Sequence, residues 1–187
     1  MATAGKDLSN YDAAGVPSGA GLRLGLVISK WNHDITSALR DGAMETLLRH
    51  KVTLKNIHEE SVPGSFELPL GAQLLLERHD LDGVICIGSV VRGETPHFDF
   101  VCQATSQGIM DLNLKSGRPV IFCVLTDNTM EQAQDRSGGK HGNKGWDAAV
   151  TAIDMIELFR SAARRRNGAP RRERARPPHR GRSSRPP

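Results

Sequence analysis

The stretch DGVICIGSVV, residues 82–91, decides the reading of this chain. It is apolar almost throughout and shows no alternation of polar and apolar side chains. A short Val/Ile-rich run of this kind reads as a strand buried on both faces. Such strands belong to parallel sheets covered by helices on either side. PVIFCVLT (119–126) and LRLGLVIS (22–29) have the same character, and NIHEESV (56–62) is a shorter, alternating strand.

Helical patterns lie between these strands. NHDITSALRDGAMETLLRH (32–50) places Ile35, Leu39, Met44, Leu47 and Leu48 at helical spacing. SFELPLGAQLLLERH (65–79) tolerates Pro69 only near its first turn. FDFVCQATSQGIMDLNLKSG (98–117) ends on a glycine stop. TMEQAQDRSG (129–138) is a short helix with Thr129 as its N-cap, and residues 143–165 form a long amphipathic one. Strand and helix alternate, so the expected fold is a three-layer α/β/α sandwich. Its sheet has about four mainly parallel strands, flavodoxin-like in class. The expected organisation is a loose arm over 1–21, a domain over 22–160 and a disordered tail over 161–187.

Composition narrows the function classes. Hydrophobic residues make up 38% and charged residues 25%, both ordinary for a soluble globular domain. No apolar run reaches the roughly eighteen residues of a membrane span. The N-terminus lacks the basic and apolar regions of a secretory signal. Cys86, Cys102 and Cys123 are odd in number, widely spaced and in apolar settings. They read as reduced thiols of a cytoplasmic protein, with neither a disulfide framework nor a metal site. Residues 160–187 hold eleven Arg and one Glu. Against a net charge of +4 for the whole chain, the other 159 residues carry −6. The tail therefore reads as an arm for weak polyanion binding or as a solvated extension.

Ligands of parallel α/β sheets bind beyond the carboxyl ends of the strands. Those junctions hold Trp31 and Asn32, then Ser65, Phe66 and Glu67, then Arg92, Gly93, Glu94, Thr95 and His97. Two aromatic planes, a carboxylate and hydroxyls suit a flat polar ring that bears hydroxyl groups. Singly, each has an ordinary alternative: Trp31 and Phe66 as core lids, Glu67 as a helix-start carboxylate. Gly93 permits close backbone approach, and Thr95 with the following amides can hold an anion. His97 is open between proton transfer and a helix-start bond to backbone. Arg136, Lys140 and Lys144 flank a glycine-rich bend that can clamp a phosphate. The chain has no dinucleotide fingerprint, P-loop, CxxC, HExxH or nucleophile elbow.

VPGSFELP (62–69), VVRGETPHFDFV (90–101) and DRSGGKHGNKGWDAA (135–149), in this order and spacing, resemble the 6,7-dimethyl-8-ribityllumazine synthase family. The resemblance covers about residues 22–160. It implies a cofactor-independent transferase that joins 5-amino-6-(D-ribitylamino)uracil to 3,4-dihydroxy-2-butanone 4-phosphate in riboflavin biosynthesis. It implies that Trp31 stacks on the uracil and that Ser65, Phe66 and Glu67 line the ribityl side. Ser89, Val90 and Val91 are then backbone contacts to the pyrimidine. Glu94 and Thr95 hold the phosphate substrate, and His97 donates a proton. Phe122 and Arg136 are implied to come from a neighbouring subunit of a pentamer, which in some members builds a 60-subunit icosahedral capsid.

Overall fold

The computed structural model describes residues 13–168, with side chains to residue 165. Four parallel strands form one sheet in the order β2-β1-β3-β4: β1 (Leu24–Ser29), β2 (Ile57–Val62), β3 (Gly83–Val91) and β4 (Val120–Asp127). Leu24 pairs with both Ile57 and Gly83, and Val84 pairs with Val120. The helices are α1 (His33–Arg49), α2 (Leu68–Arg78), α3 (His97–Ser116), α4 (Met130–Arg136) and α5 (Lys144–Gly168). This is the three-layer flavodoxin-like sandwich that the strand pattern predicts.

Each face of the sheet has its own core. Leu24, Leu26, Ile85 and Ile87 pack with α1 and α5 residues such as Leu39, Leu47 and Ile153. Val27, Val84 and Cys86 pack on the other face with Leu68, Leu75 and Ile109 of α2 and α3. The first seven residues of β3 are all buried, which is why that strand shows no alternation. Burial also pushes the Cys86 thiol up, and the Cys123 thiol up to about 12. Both are packing groups rather than nucleophiles.

Local signals work where expected. Thr129 Oγ1 accepts from Gln132 N at 3.2 Å, capping α4. Gly117 follows α3 with φ 60°, a conformation glycine adopts at little cost. Pro69 lies in the first turn of α2.

Four details differ from the sequence reading. Leu48 is 44% exposed, because the buried stripe of α1 runs through Leu39, Ala43 and Leu47 and leaves it at the edge. The glycine-rich bend is a small antiparallel hairpin, β5 (Ser137–Gly139) and β6 (Gly142–Asn143). Within the arm expected over 1–21, residues 1–12 lie outside the described residues, but Val16 packs on the core. Gly19 N donates to His50 O at 2.7 Å. Helix α5 runs to Gly168, past the expected boundary at 160. Ala162, Ala163 and the arginines there are strong helix formers, and Arg164 pairs with Glu157 two turns back on the same face. The remainder of the expected tail, 169–187, lies outside the described residues. No described helix is long and apolar enough to cross a membrane.

Candidate active site

Three strand-to-helix junctions meet at the carboxyl edge of the sheet and enclose a cleft of about 620 Å³. After β1 the chain turns through Lys30, whose N–H donates to Val62 O at 2.9 Å. This places Trp31 at the rim, 71% exposed. After β2 comes a 3-10 turn, Ser65–Glu67, that leads into α2. Glu67 Oε2 accepts from Gly64 N at 2.9 Å, so one carboxylate oxygen caps this turn. Ser65 is buried, and its carbonyl accepts from Thr105 Oγ1 of α3 at 3.1 Å. Phe66 stands out at 59% exposure.

After β3 the chain runs through an exposed loop to the start of α3. Arg92 is already engaged. It donates to Asp99 at 2.9 Å and to Asn128 Oδ1 at 3.1 Å, and it lies 4.1 Å from the centre of the Phe98 ring. That leaves the loop's backbone as its unengaged polar surface. The N–H groups of Gly93, Glu94 and Thr95 enter no hydrogen bond among the described residues. His97 opens α3 and lines the cleft. No hydrogen bond to its ring occurs among the described residues, so the backbone-bonded alternative is not seen.

Eight of the residues that the resemblance assigns line this one cleft: Trp31, Ser65, Phe66, Glu67, Ser89, Val90, Val91 and His97. Glu94 and Thr95 lie on the exposed loop beside it rather than in its lining. Phe122 and Arg136 are also outside it. Phe122 is on the edge strand β4, 37% exposed, and Arg136 ends α4, where its hydrogen bond among the described residues is to Gln132 O at 3.5 Å. Asn32, which the sequence places at the first junction beside Trp31, lines the cleft as well, and so do Gly64 and Val101, which were not singled out.

A second depression, of about 660 Å³, lies between the C-terminal ends of α2 and α3. It is lined by Arg78, Asp80, Lys115 and Arg118 among others. Two of its cations are already engaged: Arg118 lies 3.7 Å from Asp80 and donates to Leu81 O at 2.8 Å, and Arg78 lies 3.6 Å from Glu60. It is also remote from the strand ends where parallel sheets place ligands.

The chain's relatives point the same way. The model of the 6,7-dimethyl-8-ribityllumazine synthase family matches residues 21–160. A protein of that name from Porphyromonas gingivalis is 54% identical over 160 residues, covering 86% of this chain and 99% of its own length. One from Parabacteroides distasonis is 52% identical, covering 84% of this chain and 99% of its own. One from Flavobacterium johnsoniae is 51% identical, covering 87% of this chain and 86% of its own. The family match spans the whole sheet and all three junctions of the cleft, and the chain belongs to the 6,7-dimethyl-8-ribityllumazine synthase family.

Proposed function

We propose that this chain condenses 5-amino-6-(D-ribitylamino)uracil with 3,4-dihydroxy-2-butanone 4-phosphate to form 6,7-dimethyl-8-ribityllumazine, releasing phosphate and water. This is the penultimate step of riboflavin biosynthesis. The observation that carries the proposal is the single cleft shared by Trp31, Ser65–Glu67, Ser89–Val91 and His97 in a chain of this family.

The arylamine attacks the ketone to give an imine with loss of one water, phosphate is eliminated, and the ring closes with loss of a second water. Trp31 stacks on the uracil, with Phe66 facing the ribityl side. The free Glu67 oxygen and Ser65 accept ribityl hydroxyls. The backbone of Ser89–Val91 reads the pyrimidine edge. The unpaired amides of the Gly93–Thr95 loop, with Glu94 and Thr95, receive the butanone phosphate. His97 passes a proton between the reacting groups. Most of the acceleration comes from holding two spontaneously reactive partners together, a source worth up to ~7–11 kcal/mol in ideal cases.

Phe122 and Arg136 serve the cleft of an adjacent subunit. Their positions away from their own cleft support this reading. The exposed apolar residues Phe100, Met110 and Leu114 of α3, with Leu70 of α2, support an oligomer that covers them. The proposed assembly is a pentamer or a 60-subunit shell in the cytoplasm. The eleven arginines after residue 159 are its weak polyanion contact. Mixing purified protein with both substrates and following lumazine absorbance tests the reaction; no product with both present refutes it. Light scattering separates pentamer from shell. Loss of salt-sensitive nucleic-acid binding on deletion of residues 169–187 tests the tail.

A further inference from the structure

Asn32 occupies the residue before α1 in a state unusual for that place. An Asn there normally has extended backbone, and its side chain accepts from the first free N–H groups of the helix. Here φ is 53° and ψ is 50°, the left-handed region, and the side chain makes no cap. Only Asn32 and Lys51 have positive φ among the described non-glycine residues. Both departures cost stability, although Asn tolerates the left-handed region better than most residues.

In return the side chain reaches across the sheet. Asn32 Nδ2 donates to Ser89 O at 3.1 Å and lies 3.5 Å from Ser89 Oγ. The main-chain pairing of β1 with β3 stops at Ile28 and Ile87. The Asn32 amide is therefore a link between the two chains beyond the end of their ladder. Ser89 is 3% exposed in the floor of the cleft, while Trp31, the neighbour of Asn32, stands free at the rim. One residue thus touches both structures that bracket the cleft.

We infer that Asn32 is a positioning residue for the pyrimidine substrate. Its left-handed backbone sets the stance of Trp31, and its amide holds the Ser89 carbonyl in place. The aromatic face and the strand end then keep one fixed separation. This rests on the reading above that the cleft takes the pyrimidine against Trp31 and Ser89–Val91.

Three substitutions separate backbone from amide. Asn32→Gly keeps the left-handed backbone and removes the amide. Asn32→Asp keeps the shape but sets a carboxylate against Ser89 O. Asn32→Ala removes the amide and disfavours the backbone. Steady-state kinetics would vary each substrate in turn, with Trp31→Ala in parallel. The expected result is a KM for the ribitylaminouracil raised roughly five- to tenfold in the Gly and Asp variants, and further in Ala. The KM for butanone phosphate stays unchanged. If Trp31→Ala raises the pyrimidine KM while Gly and Asp do not, the inference is overturned and the reading of the cleft stands. If Trp31→Ala also has no effect, both fall. Equal rises in the two KM values would make Asn32 a general structural residue and likewise overturn it.

Discussion

Gly88 runs directly beneath Ser65: a Cβ at position 88 would lie 2.6 Å from Ser65 Oγ and 2.9 Å from Leu68 Cδ1. The close approach lets the turn Ser65–Glu67 sit flat on β3, bringing two of the three junctions together. Gly88→Ala must displace the Ser65 and Leu68 side chains, at about 1–3 kcal/mol of stability. The unfolding midpoint falls, and the KM for the pyrimidine substrate rises with it. Gly93 is the contrast. Nothing lies within 4 Å of a Cβ there, so Gly93→Ala leaves thermal stability unchanged. If a ligand approaches that backbone closely, Gly93→Ala still raises the KM for butanone phosphate. A Gly93→Ala enzyme with parental kinetics would remove the loop from the phosphate site.

His97 is exposed and takes no part in the core, so His97→Ala assembles and melts like the parent protein. Its kcat falls by roughly 10²-fold, the low end for general acid–base catalysis, because holding the two substrates together carries most of the rate. Single-turnover absorbance measures the step. A loss beyond about 10⁴-fold would assign His97 a larger role than proton transfer.

Much of this was legible in the sequence, for identifiable reasons. β3 announces a two-sided sheet because burial on both faces abolishes alternation, whereas β4 carries the same apolar run at the sheet edge with Phe122 exposed. The cleft residues were legible because strand ends converge in any such sheet. What escaped depends on contacts distant in sequence. Gly19 is tied across the fold by its bond to His50, and Leu48 misses the core by one position around α1. The hairpin after α4 needs Gly138 and Gly142 at positive φ, which glycine permits but does not announce. The Asn32–Ser89 bond depends on a backbone state that residue identity alone does not declare.

Asp127 gives a pH prediction. It ends β4 at 7% exposure, and its Oδ2 is buried with no hydrogen-bond partner among the described residues. Burial pushes its carboxyl up, while the positive charge of Arg136 pulls the other way. A carboxyl raised in the fold penalises folding once it is ionised. The penalty is full above the folded value and vanishes as pH falls below the unfolded one. Asp127→Asn therefore melts at a higher temperature than the parent at neutral pH. The gap narrows as pH drops into the ordinary carboxylate range. Melting curves across that range check the sign; a gap that widens on acidification would reverse it.

Arg136 and His97 give a test of where one active site ends and the next begins. Arg136 lies outside the cleft that His97 lines. On the proposed arrangement its guanidinium holds the phosphate in a neighbour's cleft through a charge-assisted clamp. Arg136→Ala then raises the KM for butanone phosphate roughly 10- to 100-fold, the usual worth of a hydrogen bond to a charged group. The KM for the pyrimidine does not change. Each single variant is impaired at every site when assembled alone and assayed with butanone phosphate well below the KM of the Arg136 variant. Dissociated, mixed in equal amounts and reassembled, the two variants give sites that combine an intact His97 from one chain with an intact Arg136 from the next. For random placement in a closed ring of head-to-tail contacts, about a quarter of the sites are whole. Activity therefore recovers to about a quarter of the parent value. If both residues served the same chain's cleft, every site in the mixture would carry one defect or the other, and mixing would restore nothing.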